Sequence, residues 1–319
     1  MMETKKNVYI KEVERYNFLM IKKTIAIAAL ARNCEENLPD NIERIEKLRK
    51  KFSDSAVFVY ENNSTDSTRN ILHKWSSTSN CVWVKSEDID ESPYKSSKKV
   101  GRLYHGTEVG RIRKMCDCRN KLLDMIRNKG PFDFVIFIDI DIAWFSIDGV
   151  VSAIQNAPEG WGGLFANCYV TFINGGISYD FPMHYDTFAI LQLGNRIERI
   201  KYRDLNQIRR TFLSKKIYDQ ANCAMYFECL SAFGGVGIYK WEQIEDLKYE
   251  VYTPSSWEKT GSTLCEHIYF NSRVIGKKYI VRDLKVCYHY FETKGLRWMI
   301  TKHFPLAFGL FSVIKSVIK

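Results

Sequence analysis

Asp139 and Asp141 stand one residue apart at the end of Phe-Val-Ile-Phe-Ile, the most apolar short run in the chain. Side chains alternate along a strand, so the two carboxylates are expected to leave it on one face. Like charges held that close repel unless a cation joins them, and carboxylate oxygens suit Mg2+ or Mn2+. A divalent ion held this way can clamp a diphosphate and stabilise its departure as a leaving group. The same pattern also describes a solvated loop with two acids, so its meaning depends on the elements around it. Upstream lies a basic segment with Lys95, Lys98, Lys99, Arg102, Arg111, Arg113, Lys114, Arg119 and Lys121. A diphosphate needs cationic partners, and guanidinium forks match its geometry. Arg111 and Arg119 are eight apart, close enough to two helical turns to share a face.

The elements that must position these groups follow an alternating order. Residues 24–30 form an apolar run that reads as a buried strand, and 41–52 carry Ile42, Ile45 and Leu48 at helical spacing. Residues 56–60 and 81–85 read as two more strands, with a helix over 69–75 between them after a polar loop rich in capping residues. A longer helix over 110–128 precedes the strand at 134–138. Strand and helix alternating at this spacing predict parallel β-α-β units in an α/β sheet covered on both faces. Ligands of such sheets sit at the carboxyl ends of the strands, where Asp139 and Asp141 are expected. The part after about residue 160 is less regular and reads as an elaboration of the same sheet. Adjacent glycines at 234 and 235 suit either a close approach to a ligand or a plain tight turn.

The 319 residues are 45% hydrophobic and 26% charged, which fits a globular chain and excludes collagenous, disordered and disulfide-miniprotein classes. Forty-seven basic against 37 acidic side chains give a net charge of +10, which points to an anionic partner. Nine scattered cysteines form neither a disulfide framework nor a zinc pattern and are expected as reduced, mostly buried thiols. The first 24 residues mix charges, with no run suited to a signal peptide, and a reducing cytoplasm is the simplest compartment. Residues 293–319 read as a basic amphipathic helix, kinked or broken at Pro305. Both a membrane interface, giving peripheral contact with anionic lipid, and the surface of the domain stay open for it.

On these motifs the chain resembles the GT-A glycosyltransferases, α/β proteins with a mostly parallel central sheet that use a nucleotide-sugar donor and an Asp-x-Asp metal site. IAIAALARNCEENLP is similar to the opening strand and loop of the family 2 type, and VFVYENNSTDST to their second strand and loop. RIRKMCDCRNKLLDMI, followed by FDFVIFIDIDIAWF, resembles the corresponding helix and strand of the fungal capsule-associated α-1,3-mannosyltransferases, with Arg111, Arg119 and Asn120 at the matching positions. Tyr185-Asp186-Thr187 is similar to a later Tyr-Asp pair of those proteins. The chain departs from them at Asp139-Ile140-Asp141, where they have Asn-Asp, and at residues 231–235, where they have Ser-Cys-Trp-Asn-Gly. The resemblance implies a donor half over 24–145 and an acceptor half over 146–292, after an N-terminal extension over 1–23. It implies donor contacts from Ala29, Arg32, Asn33, Glu61, Asn63, Asp66, Arg111, Arg119 and Asp139. It implies Mn2+ or Mg2+ on Asp139, Asp141 and His289, with His267 as rival to the imidazole. Glu266, near the start of a short helix, is the implied general base if configuration is inverted, and Asp186 is the reserve for base or acceptor contact; retention needs no such base.

The acceptor implied is a hydroxyl of a glycan or glycoconjugate, as in polysaccharide biosynthesis. Two other classes compete. A nucleotidyltransferase acting on sugar phosphates shares the α/β sheet and the acidic ligands, but no glycine-rich, lysine-bearing loop follows the first strand. A nucleic-acid-binding protein would use the basic surface, but no recognition module is present and the acidic pair opposes a nucleic acid on the ligand face.

Overall fold

The structure is a computed structural model that describes residues 20–95, 106–174, 177–181, 184, 186–202 and 207–292. The C-terminal helix expected over 293–319, the centre of the basic loop at 96–105, and Tyr185 lie outside the described residues. Among the described residues no helix is long and apolar enough to cross a membrane.

The first half alternates as its periodicity predicts: β1 (Ile21–Ala31), α1 (Leu38–Arg49), β2 (Phe52–Asn62), α2 (Thr68–Thr78), β3 (Val82–Glu87), α3 (Val109–Arg127) and β4 (Phe134–Ile138). The helix expected at 41–52 begins earlier because Pro39 sits in its first turn, where a missing N–H costs nothing. Five consecutive residues of β1, from Ile25 to Ala29, are fully buried, so both faces of the strand are covered. Ile25, Ile27 and Ala29 pack with Leu38, Ile45 and Leu48 of α1 and Leu72 and Trp75 of α2. Ala26 and Ala28 face the opposite layer, with Ile112, Cys116, Leu122 and Ile126 of α3. All nine cysteines are free and seven are buried.

The second half adds β5 (Trp144–Phe145), α4 (Ile147–Gln155), β6 (Trp161–Asn174), β7 (Ile177–Phe181), α5 (Gln207–Cys223), β8 (Tyr226–Cys229), β9 (Val236–Lys240), α6 (Glu266–Arg273) and β10 (Lys277–Glu292). Both halves share one ten-stranded sheet of order β3-β2-β1-β4-β9-β6-β10-β5, with β7 and β8 paired off this path. Four of the seven pairings along the path are parallel: β3–β2, β2–β1, β1–β4 and β6–β10.

Strand direction decides what meets at the edge. β9 runs antiparallel to β4, with Ile138 opposite Val236, so the start of β9 lies beside the end of β4. β6 runs antiparallel to β9 and parallel to β10, so the last residues of β10 reach that edge too. Residues at positions 139, 235 and 288 therefore come together from three distant parts of the sequence.

Candidate active site

β4 ends at Ile138, and residues 139–142 form a turn closed by the Ile142 N–H donating to the Asp139 carbonyl at 3.3 Å. Strand alternation therefore does not set the two carboxylates, contrary to the expectation of a common face. Asp139 turns inward, with 23% of its side chain exposed, whereas Asp141 is exposed. The turn hangs from α1 and the loop before it. Asn41 Nδ2 donates to the carbonyls of Ile140 at 2.9 Å and Ile142 at 2.6 Å, and Asn37 Nδ2 donates to that of Asp141 at 2.8 Å. From the other side the Asp139 N–H donates to the Gly235 carbonyl at 2.9 Å. Gly234 and Gly235 both have left-handed φ, +66° and +87°, and a Cβ at Gly234 would lie 2.6 Å from the Ala166 carbonyl oxygen. The glycine pair is thus a tight turn that packs backbone against backbone beside Asp139.

Arg119 is the hub of the site. It lies on α3, is 5% exposed, and directs Nε to Glu266 Oε1 at 3.2 Å and Nη2 to Asp139 Oδ1 at 3.9 Å. Its guanidinium lies 5.3 Å from the Phe233 ring centroid and 5.6 Å from that of Tyr249. Asn120, next along the helix, exchanges two hydrogen bonds with the Tyr249 backbone at 2.7 and 2.8 Å, which fixes that ring against Arg119. Tyr288 of β10 donates its hydroxyl to Asp139 Oδ2 at 3.1 Å. Arg111, eight residues before Arg119 and so about 80° away from it around the helix, is exposed, yet like Arg119 it acts electrostatically on Glu266.

The electrostatics follow from burial and crowding. Burial pushes the Asp139 carboxyl up, Arg119 pulls it back, and Asp141 and Asp186 push it up again, to about 8. Burial and the nearby Glu266 raise Asp186 to about 6, against backbone N–H groups of Gly234 and Ala189 that favour its ionised form. Burial would raise Glu266 as well, but His267, Arg119 and Arg111 overcome it and hold the carboxyl at about 2. His267, stacked 4.0 Å from the Phe233 ring, is lowered to about 3 by burial and by Arg119; among the described residues neither ring nitrogen makes a hydrogen bond, and Nε2 lies 3.8 Å from Glu266 Oε1. Burial also lowers His289, opposed by the carboxylates of Asp141 and Glu36.

Among the described residues no group of three or more His, Cys, Asp or Glu side chains is arranged to hold a metal ion. Asp139, Asp141 and His289 nonetheless share one edge of the sheet, and Asp141 acts electrostatically on each of the other two. Two carboxylates and a neutral imidazole form a donor set suited to Mn2+, and a carboxyl raised first by burial and then by its acidic neighbours is one that a cation would relieve.

The donor-loop residues predicted from the first two strands are brought together, but mainly with one another. Asn33, at φ +49°, accepts from the Thr65 N–H at 2.8 Å, and Asp66 accepts from the N–H groups of Glu35 and Thr68 at 3.1 and 3.0 Å. Asn63, at φ +52°, pairs with both backbone groups of Ile89. Glu61 is fully buried and accepts from Ser64 N–H at 2.9 Å and Arg69 Nε at 2.8 Å. Ala29 is buried in β1, and Arg32 pairs with Glu91 at 2.8 Å. Much of the basic segment is similarly engaged: Lys114 pairs with Glu91, and Lys121 with Glu87 and the Tyr60 hydroxyl. Sequence reasoning missed Asn37, Asn41, Phe233, Tyr249 and Tyr288. Only the two asparagines, one turn apart at the start of α1, left a local signal.

The sequence profile of one family, described as Cryptococcal mannosyltransferase 1, matches residues 24–255. The chain belongs to this family. It is therefore a glycosyltransferase. The region matched to the Cryptococcal mannosyltransferase 1 profile carries the Asp139–Ile142 turn, Arg111, Arg119, Asp186 and the glycine pair, and ends before Glu266, Tyr288 and His289. Solved structures similar to this family member include the mannosyltransferase PcManGT from Pyrobaculum calidifontis with GDP-Man and Mn2+, at 11% identity and TM-score 0.44, over 97% of this chain and 75% of that one. S. aureus TarS 1-349 with UDP is 14% identical at TM-score 0.42, over 92% of this chain and 64% of that one. Glucosyl-3-phosphoglycerate synthase from Mycobacterium tuberculosis, with Mn2+, UDP and glucosyl-3-phosphoglycerate, is 14% identical at TM-score 0.37, over 91% and 80%. No curated protein sequence gives a match.

Proposed function

We propose that the chain transfers a sugar, with mannose the first to test, from a nucleotide-sugar donor to a hydroxyl of a glycan or glycoconjugate, with Mn2+ or Mg2+ as cofactor. The observation that carries this reading is the family match across the segment that holds the Asp139–Ile142 turn. Asp139, Asp141 and His289 would hold the cation, which when bound supplies charge neutralisation for the departing diphosphate. Arg111, exposed at the start of α3, adds positive charge on the side from which a diphosphate would approach. Asn33, Glu61, Asn63 and Asp66 brace the two loops that would border the nucleotide, and Ala29 and Arg32 lead into them. Asp186 is partly exposed and supported by backbone N–H groups, which suits a carboxylate that accepts a hydrogen bond from the acceptor hydroxyl. Residues 24–145 thus form the donor side and 146–292 the acceptor side.

The test is a panel of nucleotide-sugars, GDP-mannose, UDP-glucose and UDP-GlcNAc among them, scored for Mn2+-dependent hydrolysis and thermal stabilisation, with Asp141→Ala as control. One donor should stabilise and turn over with the wild type and not with the variant. If no donor stabilises the wild type, or the variant behaves identically, the reading fails.

A further inference from the structure

Glu266 occupies the place expected of a general base, the first turn of α6, yet its surroundings suit another task. It is 4% exposed, and both of its oxygens are engaged. Oε1 faces Arg119 Nε at 3.2 Å, and Oε2 accepts from the Cys265 thiol at 3.5 Å. An acceptor hydroxyl would have to displace Arg119 from Oε1 or the Cys265 thiol from Oε2 to reach this buried carboxylate. Arg119 in turn stands between two carboxylates. Nε is in hydrogen-bond range of Glu266, while Nη2 stays 3.9 Å from Asp139 Oδ1, with Phe233 and Tyr249 flanking the guanidinium. The other oxygen of Asp139 is held by the Tyr288 hydroxyl at 3.1 Å.

We infer that Glu266 is a positioning residue, which anchors Arg119 so that the guanidinium orients Asp139 without closing on it and leaves Oδ1 open to a cation. The inference rests on the metal-dependent glycosyltransferase reading above. Without the Glu266 charge, Arg119 is drawn onto Asp139 and competes with the ion for the same oxygen. The planar guanidinium presents its donors in a fixed fork, so it can face two carboxylates in set directions, whereas a lysine ammonium is a compact point charge without that fixed geometry.

The experiment compares wild type, Glu266→Gln and Arg119→Lys by calorimetric titration of Mn2+ in the presence of a nucleoside diphosphate, and by turnover at saturating Mn2+ and donor. Groups that orient a metal ligand typically cost about 10- to 100-fold in metal affinity when removed, and that weakening is expected for Glu266→Gln, with kcat at saturation falling less than about tenfold. Glu266→Asp, which keeps the charge, should recover part of the lost affinity. A general base behaves otherwise: kcat falls by about 100-fold or more while Mn2+ binding is unchanged, and that result overturns the inference. Should Glu266→Gln show no cooperative thermal transition, Arg119→Lys decides by the same readouts, weakened Mn2+ binding supporting the inference and unchanged binding overturning it. If the wild type neither binds Mn2+ with a nucleoside diphosphate nor turns over any nucleotide-sugar, the metal-dependent reading fails, and the inference falls with it.

Discussion

Asp139→Asn should make the metal-free protein more stable near neutral pH while abolishing transfer. An unperturbed Asp titrates near 4, but burial and the crowding by Asp141 and Asp186 raise folded Asp139 to about 8. Between those values the native state holds a proton that the unfolded chain has released, so stability falls as pH rises through that window. At pH 7 the gap of about three pH units sets a ceiling of ~4 kcal/mol. Solvent reaches 23% of the side chain and screens its charge, which leaves about 2 kcal/mol. Asparagine keeps an acceptor for Tyr288, which donates to Asp139 Oδ2 at 3.1 Å, and carries no charge to strand. Arg119 keeps Glu266, its nearer partner at 3.2 Å, so the variant leaves no unpaired guanidinium. The assay is thermal unfolding with a chelator present from pH 4 to 8.5. The variant should melt higher by on the order of 5 °C at pH 7, and the two proteins should converge toward pH 4. Mn2+ added in excess should raise the wild type and close the gap. Equal melting at pH 7 to 8, or a difference independent of pH, would refute the electrostatic account of the site.

Asn41→Ala removes both hydrogen bonds that hold the Ile140 and Ile142 carbonyls, so unfolding should become easier by about 1–3 kcal/mol and Mn2+-induced stabilisation should shrink, both read from chemical denaturation with and without the ion. Gly234→Ala places a Cβ 2.6 Å from the Ala166 carbonyl oxygen at a φ of +66°, and denaturation should show a loss of about 1–3 kcal/mol with reduced transfer. Arg111→Ala, at an exposed position, should leave the melting temperature within about 1 °C, because surface substitutions stay within about 0.5 kcal/mol, while donor KM rises. An unchanged donor KM would remove Arg111 from the donor side.

The fold was legible wherever the pattern is local. The buried run at Ile25–Ala29, the helical spacing of Ile45 and Leu48, and the apolar strand before Asp139 each identify an element from fewer than a dozen residues. Parallel direction followed from the alternation of strand and helix, so the sheet edge at which Asp139 lies followed too. The joining of the second half to the same sheet was anticipated, but the order that inserts β9 and β6 between β4 and β10 depends on pairings between remote segments.

The site was legible in composition and much less so in pairing. Asp139, Arg119 and Glu266 were each picked out by motif, yet Arg119 and Glu266 meet across 147 positions, and Tyr288 reaches Asp139 across 149. No local spacing encodes such contacts, so Arg119 read as a group facing a diphosphate when its charge is mostly spent on two carboxylates. The same ambiguity affected Glu61, Asn63 and Asp66: polar residues at strand ends suit a ligand and suit the bracing of a loop, and the residue types are identical in both cases. The common-face expectation for Asp139 and Asp141 failed for a narrower reason. Alternation holds only while the strand lasts, and β4 ends at Ile138; beyond it Asn37 and Asn41 hold the turn by its carbonyls, with Asp139 largely buried beside Arg119 and Asp141 at the surface. That asymmetry separates the two acids chemically. Asp139 is the oriented, largely buried acid whose charge the fold must manage, and Asp141 is the exposed one, which under the proposed metal-dependent reading would be free to follow an ion.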